Sequence, residues 1–245
     1  EESHFLWEHT GDVAAIKDGL APFRDRSDDL GLARSGWGWD ARFGDFDNDG
    51  GLELVQATGF LKGAVNRWPE LHELAMGNDV FVRHPRFWPR VQDDGDISGD
   101  GRLFFFVRSS DGRFHDLASA VGLGEPQITR GIATADVDGD GRLDLAVANH
   151  NSSNVSVLLG NAGGTFQPAQ NSPTGIVPLS VAVGDFDGDG KLDLATANLR
   201  DVSVLKGHGS GGFAAPVSIS VGSTPTSVAV GDFNGDGKLD LGVTG

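Results

Sequence analysis

The chain has 245 residues, 38% of them hydrophobic, enough for one large all-β domain or two small ones with a core of ordinary size. Its 35 acidic and 19 basic side chains leave a formal charge of -16, which argues against nucleic acid or an anionic membrane as partner and points to something cationic. There is no cysteine, so disulfide frameworks and zinc-thiolate sites are excluded, and the longest apolar run, Leu103 to Val107, is far too short for a membrane span.

No basic-then-apolar leader opens the chain, as expected of a mature or trimmed protein. Alternation of period two predicts strands at His4 to Glu8 and Pro22 to Ser27. At Gly44 begins GDFDNDGGLEL, the first of four strings in register; ADVDGDGRLDL follows at Ala135, GDFDGDGKLDL at Gly184 and GDFNGDGKLDL at Gly231. Between the first two lies an insert, residues 60–100. Within it, Pro69 to Met76 predicts a short helix, with Pro in its first turn and Gly77 past its end. Arg67, Trp68, His72, Arg83, His84, Arg86, Trp88 and Arg90 make this stretch a basic, aromatic island, suited either to packing on a blade or to binding sugars or anionic groups. A degenerate fifth string, Asp96, Ser98 and Asp100, carries Phe104 where a final carboxylate belongs and is given little weight as a metal site.

A composition seam falls near Asn149: all 5 Trp precede it, and Gly, Val, Ser and Ala dominate after it. Beyond the seam the offset is 47, since Pro178, Ser180, Val181 and Val183 recur as Pro225, Ser227, Val228 and Val230. Before it the offset is 91, with Phe23, Asp25, Gly31, Leu32 and Asp45 recurring as Phe114, Asp116, Gly122, Leu123 and Asp136. One unit is therefore about 47 residues, and the longer offset is one unit plus the insert.

Each unit reads as four strands. In the third these are SVAVGDF, DLATA after the Asp loop, then VSVLKG and FAAPVSISV around a Gly-rich turn. That spacing is the spacing of propeller blades, which bury their faces by stacking on one another. The expected fold is an all-β β-propeller of four or five four-stranded blades, or a segment of a larger ring, forming a single domain over residues 1–245. The chain opens with a strand pair that should follow an Asp loop and ends just after one, so the two halves are expected to share one blade.

In D-x-[DN]-x-D-G-x-x-[DE], the side chains at positions one, three, five and nine converge, the carbonyl of position seven completes an oxygen cage, and Gly at six permits the turn. The sets are Asp45, Asp47, Asp49 and Glu53; Asp136, Asp138, Asp140 and Asp144; Asp185, Asp187, Asp189 and Asp193; and Asp232, Asn234, Asp236 and Asp240. Hard oxygen donors in this number suit Ca2+, about four ions in all. An EF-hand is excluded, because position twelve is Gln56, Val147, Thr196 or Val243 rather than Glu and the flanks alternate as strands.

These residues resemble FG-GAP and VCBS repeats, whose blades also build integrin α-chain propellers. GLARSGWGWDARFGDFDNDG and FFFVRSSDGRFHDLASAVGL further resemble proteins that combine FG-GAP repeats with an ASPIC/UnbV domain. The resemblance implies a calcium-binding propeller in an extracellular or cell-surface setting, adhesive or carbohydrate-related. The chain departs from it in showing fewer than seven repeats, and in carrying Glu53 and Asn234 where Asp is usual.

Other motifs carry less. GHGSGG, Gly207 to Gly212, fits a dinucleotide fingerprint on paper, but a strand follows it and not a helix. His72 and Glu73 begin like a zincin helix, yet Met76 stands where the second His belongs. Asn151 and Asn154 lie in Asn-x-Ser sequons, which mark a loop. The functional expectation is a non-catalytic binding or adhesion module for a protein or glycan ligand. The alternatives are a carbohydrate-active lyase or hydrolase using His72, His84 or His115 with a carboxylate, and a structural fragment of a larger surface protein.

Overall fold

The computed structural model describes residues 6–18, 21–32, 38–59, 65–66, 95–96, 101–125, 127–222 and 224–245. The helix expected at Pro69 to Met76, the basic aromatic island, and Ser98 and Asp100 of the degenerate string lie outside these residues. In chain order the strands are β1 (Trp7–His9), β2 (Phe23–Asp25), β3 (Gly38–Gly44), β4 (Glu53–Thr58), β5 (Val65–Asn66), β6 (Gly95–Asp96), β7 (Phe104–Arg108), β8 (Phe114–Asp116) and β9 (Thr129–Ala135). There follow β10 (Asp144–Asn149), β11 (Asn154–Leu158), β12 (Gln170–Pro173), β13 (Ser180–Gly184), β14 (Asp193–Ala197), β15 (Val202–Leu205), β16 (Val217–Ile219), β17 (Ser227–Gly231) and β18 (Asp240–Thr244). Among the described residues the one helical element is a 3-10 turn, Ala15–Asp18.

Strands β3, β4, β7 and β8 form the first blade, β9 to β12 the second and β13 to β16 the third, each an antiparallel four-stranded sheet. β17 and β18 are the inner half of a fourth. Within the insert β5 pairs with β6 in parallel. The first strands of successive blades lie side by side, β9 between β3 and β13, and β13 beside β17. This is the β-propeller arrangement expected from the repeats.

Period two does not hold in every strand. All six residues of β4 and of β10 and all five of β14 are buried, because the second strand of a blade is covered on both faces by its neighbours. The apolar contacts accordingly collect between blades. Phe46, Val55, Phe105, Ile132, Leu145 and Phe166 fill the seam between the first and second. Ala146, Val155, Val157, Val181, Leu194 and Leu205 fill the next, and Ala195, Ala197 and Val228 the last.

The shared blade expected from the two chain ends is not formed. β1 and β2 pair with each other and lie against the first blade, where the Phe114 N–H donates to the Leu30 carbonyl (2.7 Å) and Leu6 and Leu30 pack on Leu32, Leu54 and Phe106. β17 and β18 stack on the third blade at the other end of the array. The two half-blades remain separate sheets and the ring is open.

Candidate metal centres

Each Asp loop joins the first strand of a blade to the second, so the four recur at the same edge of successive blades. The carboxylate at position one turns inward and closes the loop on itself. In the third loop Asp185 Oδ1 accepts the N–H groups of Gly188 (2.7 Å) and Asp189 (3.2 Å), while Oδ2 accepts that of Gly190 (2.9 Å). Asp136 and Asp232 repeat this pattern, and Asp45 repeats it toward Asp49 and Gly50. In every loop the side-chain oxygen at position three, on Asp47 (3.1 Å), Asp138 (3.2 Å), Asp187 (3.1 Å) and Asn234 (2.8 Å), accepts the N–H of position five. The carboxylate at position nine holds the N–H of position two, as Glu53 does for Phe46 (2.9 Å) and Asp144 for Val137 (2.8 Å).

The wrap brings carboxylates together. Asp45, Asp47 and Glu53 each place an oxygen within 4.8 Å of the others, and so do Asp136, Asp138 and Asp144, and Asp185, Asp187 and Asp193. Such donors are all hard oxygens, and two carboxylates about 4 Å apart oppose each other by roughly 4 kcal/mol at an effective dielectric of about 20. The donor set therefore fits a hard divalent cation. The fourth loop has the same backbone wrap but offers the Asn234 amide oxygen where the others have a third carboxylate.

Position five stands outside these groups. Asp49, Asp140 and Asp189 each turn one oxygen to the N–H two residues on, and Asp140 and Asp189 pair with Arg142 and Lys191. Two glycines to which the sequence reading gave no part in the loops, Gly160 and Gly207, support position nine instead. The N–H of Gly160 donates to Asp144 Oδ1 and that of Gly207 to Asp193 Oδ1, both at 2.7 Å. A Cβ at Gly160 would lie 2.5 Å from the Leu143 carbonyl oxygen, and one at Gly207 2.0 Å from that of Leu192, so the turn and the loop approach too closely for any side chain. The recurrence of this glycine at the 47-residue offset was the available signal.

Burial sets the electrostatics. It pushes the Glu53 and Asp144 carboxyls above their ordinary range, the N–H groups of Phe46 and of Gly160 and Val137 work against it, and the neighbouring loop carboxylates add to the rise. Asp232 is exposed and is pulled down, first by the Gly237 N–H.

The FG-GAP-like repeat model matches residues 79–147, 136–196 and 185–243, more than half of the chain. The chain belongs to the FG-GAP-like repeat family. The matched segments contain the second and third carboxylate clusters and the fourth loop, and the first cluster, Asp45, Asp47 and Glu53, lies ahead of them. No curated protein sequence matches this FG-GAP chain. Among solved structures it is similar to an Agrocybe aegerita lectin that recognises non-reducing terminal N-acetylglucosamine, at 17% identity and a TM-score of 0.42, over 82% of this chain and 43% of that one. It is similar also to the V. cholerae biofilm matrix protein Bap1, at 15% identity and a TM-score of 0.43, over 85% of this chain and 28% of that one. The chain spans less than half the length of either. Among the described residues no helix is long and apolar enough to cross a membrane.

Proposed function

We propose that this chain is an extracellular, calcium-binding β-propeller module that binds a protein or a glycan and catalyses nothing. The observation that carries the metal reading is the same three-carboxylate group built three times by one loop geometry. Asp45, Asp47 and Glu53, Asp136, Asp138 and Asp144, and Asp185, Asp187 and Asp193 would hold the ions, with Asp49, Asp140, Asp189 and the carbonyl at position seven within the same loops. Asp232, Asn234, Asp236 and Asp240 would form a fourth site of lower charge. A bound cation offsets repulsion among the carboxylates and stiffens the link between the first two strands of each blade. Calcium fits better than magnesium because the donors are many and all oxygen. Recognition is assigned to loops and exposed aromatics on this rigid frame; Trp39, 45% exposed and stacked against the Arg130 guanidinium at 4.0 Å, is one such aromatic.

The test is thermal unfolding in millimolar calcium, in millimolar magnesium and in excess EDTA. At a free concentration about a hundredfold above its dissociation constant each site adds roughly 2.7 kcal/mol, so several sites together should raise the melting temperature strongly and selectively for calcium. Equal melting in all three conditions would remove the metal reading.

A further inference from the structure

The four loops share a backbone but not a charge environment. Among the described residues no cation pairs with any carboxylate of the first loop, where Gly51 occupies position seven. In the second loop Arg142 pairs with Asp140, which lies outside the convergent group. In the third, Lys191 pairs likewise with Asp189 (3.3 Å), but a second cation enters. Lys206 Nζ pairs with Asp187, a member of the convergent group, and lies 3.3 Å from Asp189 Oδ2. Lys206 follows the third strand of its blade. The residue 47 positions earlier is Leu159, which is 6% exposed and packed in the seam between the second and third blades. An apolar packing position in one blade is therefore a loop-facing ammonium in the next.

Resting on the calcium reading above, we propose that Lys206 is a built-in counter-ion of the third loop, which weakens calcium binding there and makes that loop fill after the second. A divalent ion bound by Asp185, Asp187 and Asp193 must either displace the ammonium from Asp187 or stand beside it as a like charge. Either costs binding energy that the second loop does not lose, since Arg142 engages an oxygen outside the group. Both Lys206 and Asp187 are exposed, at 54% and 38% of their side chains, so the effect is that of a surface ion pair, about two- to fivefold in affinity. Before calcium arrives, the same contact offsets part of the repulsion within the loop.

The position-six glycines Gly50, Gly141, Gly190 and Gly237 give one reporter amide per loop for a residue-resolved NMR titration with calcium. In the native protein the Gly190 midpoint should lie at higher calcium than that of Gly141. Lys206→Met should move the Gly190 midpoint about two- to fivefold lower and leave Gly141 in place, and Lys206→Glu should move it no less. The same Lys206→Met variant should melt no higher than the native protein in EDTA, although its third loop binds calcium more tightly; a lysine that merely packs would not separate the two readouts. If the glycine amides titrate but Gly190 is unmoved by either substitution, the role of Lys206 is overturned and the calcium reading stands. If no glycine amide responds to calcium in the native protein, both fall together.

Discussion

Position four of each loop makes a backbone demand of its own. Gly139, Gly188 and Gly235 have φ of 78, 76 and 78°, and Asn48 meets the same need at 60°. Asparagine visits this left-handed region more readily than other side chains, which explains the single exception. A Cβ at Gly188 would meet nothing within 4 Å, so Gly188→Ala isolates the conformational term and should cost about 1–2 kcal/mol in urea unfolding of the metal-free protein. Asn48→Gly should change stability by no more than a few tenths. His150 presents a different residue-scale effect. Burial lowers its pKa from 6.5; its contact with Asn151 works against this, and the Arg130 charge adds to it. As pH falls below about 6.5 the unfolded chain takes up this proton first, so the folded state loses stability until the lowered folded pKa is passed. Urea unfolding at about pH 7.5 and pH 5.5 should show a loss in the native protein that His150→Gln reduces, and equal losses in both would mean that His150 does not contribute. The Asp spacing made the loops legible from sequence, because each ligand position is a fixed count from the last. The turning aside of position five was not legible, since it rests on the N–H two residues on, which Asp49, Asp140 and Asp189 accept alike whether that residue is Gly51, Arg142 or Lys191.

At the scale of the element, the loops also pack against neighbouring blades, some forward along the stack and some backward. Phe46, at position two of the first loop, is 1% exposed, with its ring 5.4 Å from Phe105 in its own blade and 5.7 Å from Phe166 in the next. Phe233 holds the same position in the fourth loop and is 65% exposed. Phe46→Ala should therefore cost about 3–5 kcal/mol in chemical unfolding. Phe233→Ala should stay within about 0.5 kcal/mol, as for other exposed side chains. Comparable costs would mean that Phe233 is covered in solution. Looking backward, the Leu143 side chain presses on Gly44 of the preceding blade and Leu239 on Gly184, where a Cβ would lie 2.8 Å from each leucine. The strands themselves were readable, DLATA as well as SVAVG, but the burial of both faces of the second strands was not, because Glu53, Gln56 and Asp144 look solvated until blades are stacked on both sides of them.

For the whole molecule, the 47-residue offset identified the blades, yet it gave no information on curvature, and the ring closure expected from the two half-blades did not follow. How far each blade turns from the last depends on side chains between sheets, such as the Phe46, Phe105 and Phe166 cluster, and not on the period that repeats them. The stack behaves as a row of units in contact with their neighbours alone, so its stability is a sum of blades and seams. The forward reach of Phe46 and Phe186 and the backward press of Leu143 and Leu239 all originate in the loops that carry the carboxylates. On the proposed metal reading, an ion seated in such a loop would act as a rivet, fixing the sheet it belongs to and the joint into which that loop packs. The stiffness of the row under a pulling force would then follow the dissolved cation around it, making the protein a strut whose rigidity is set from outside.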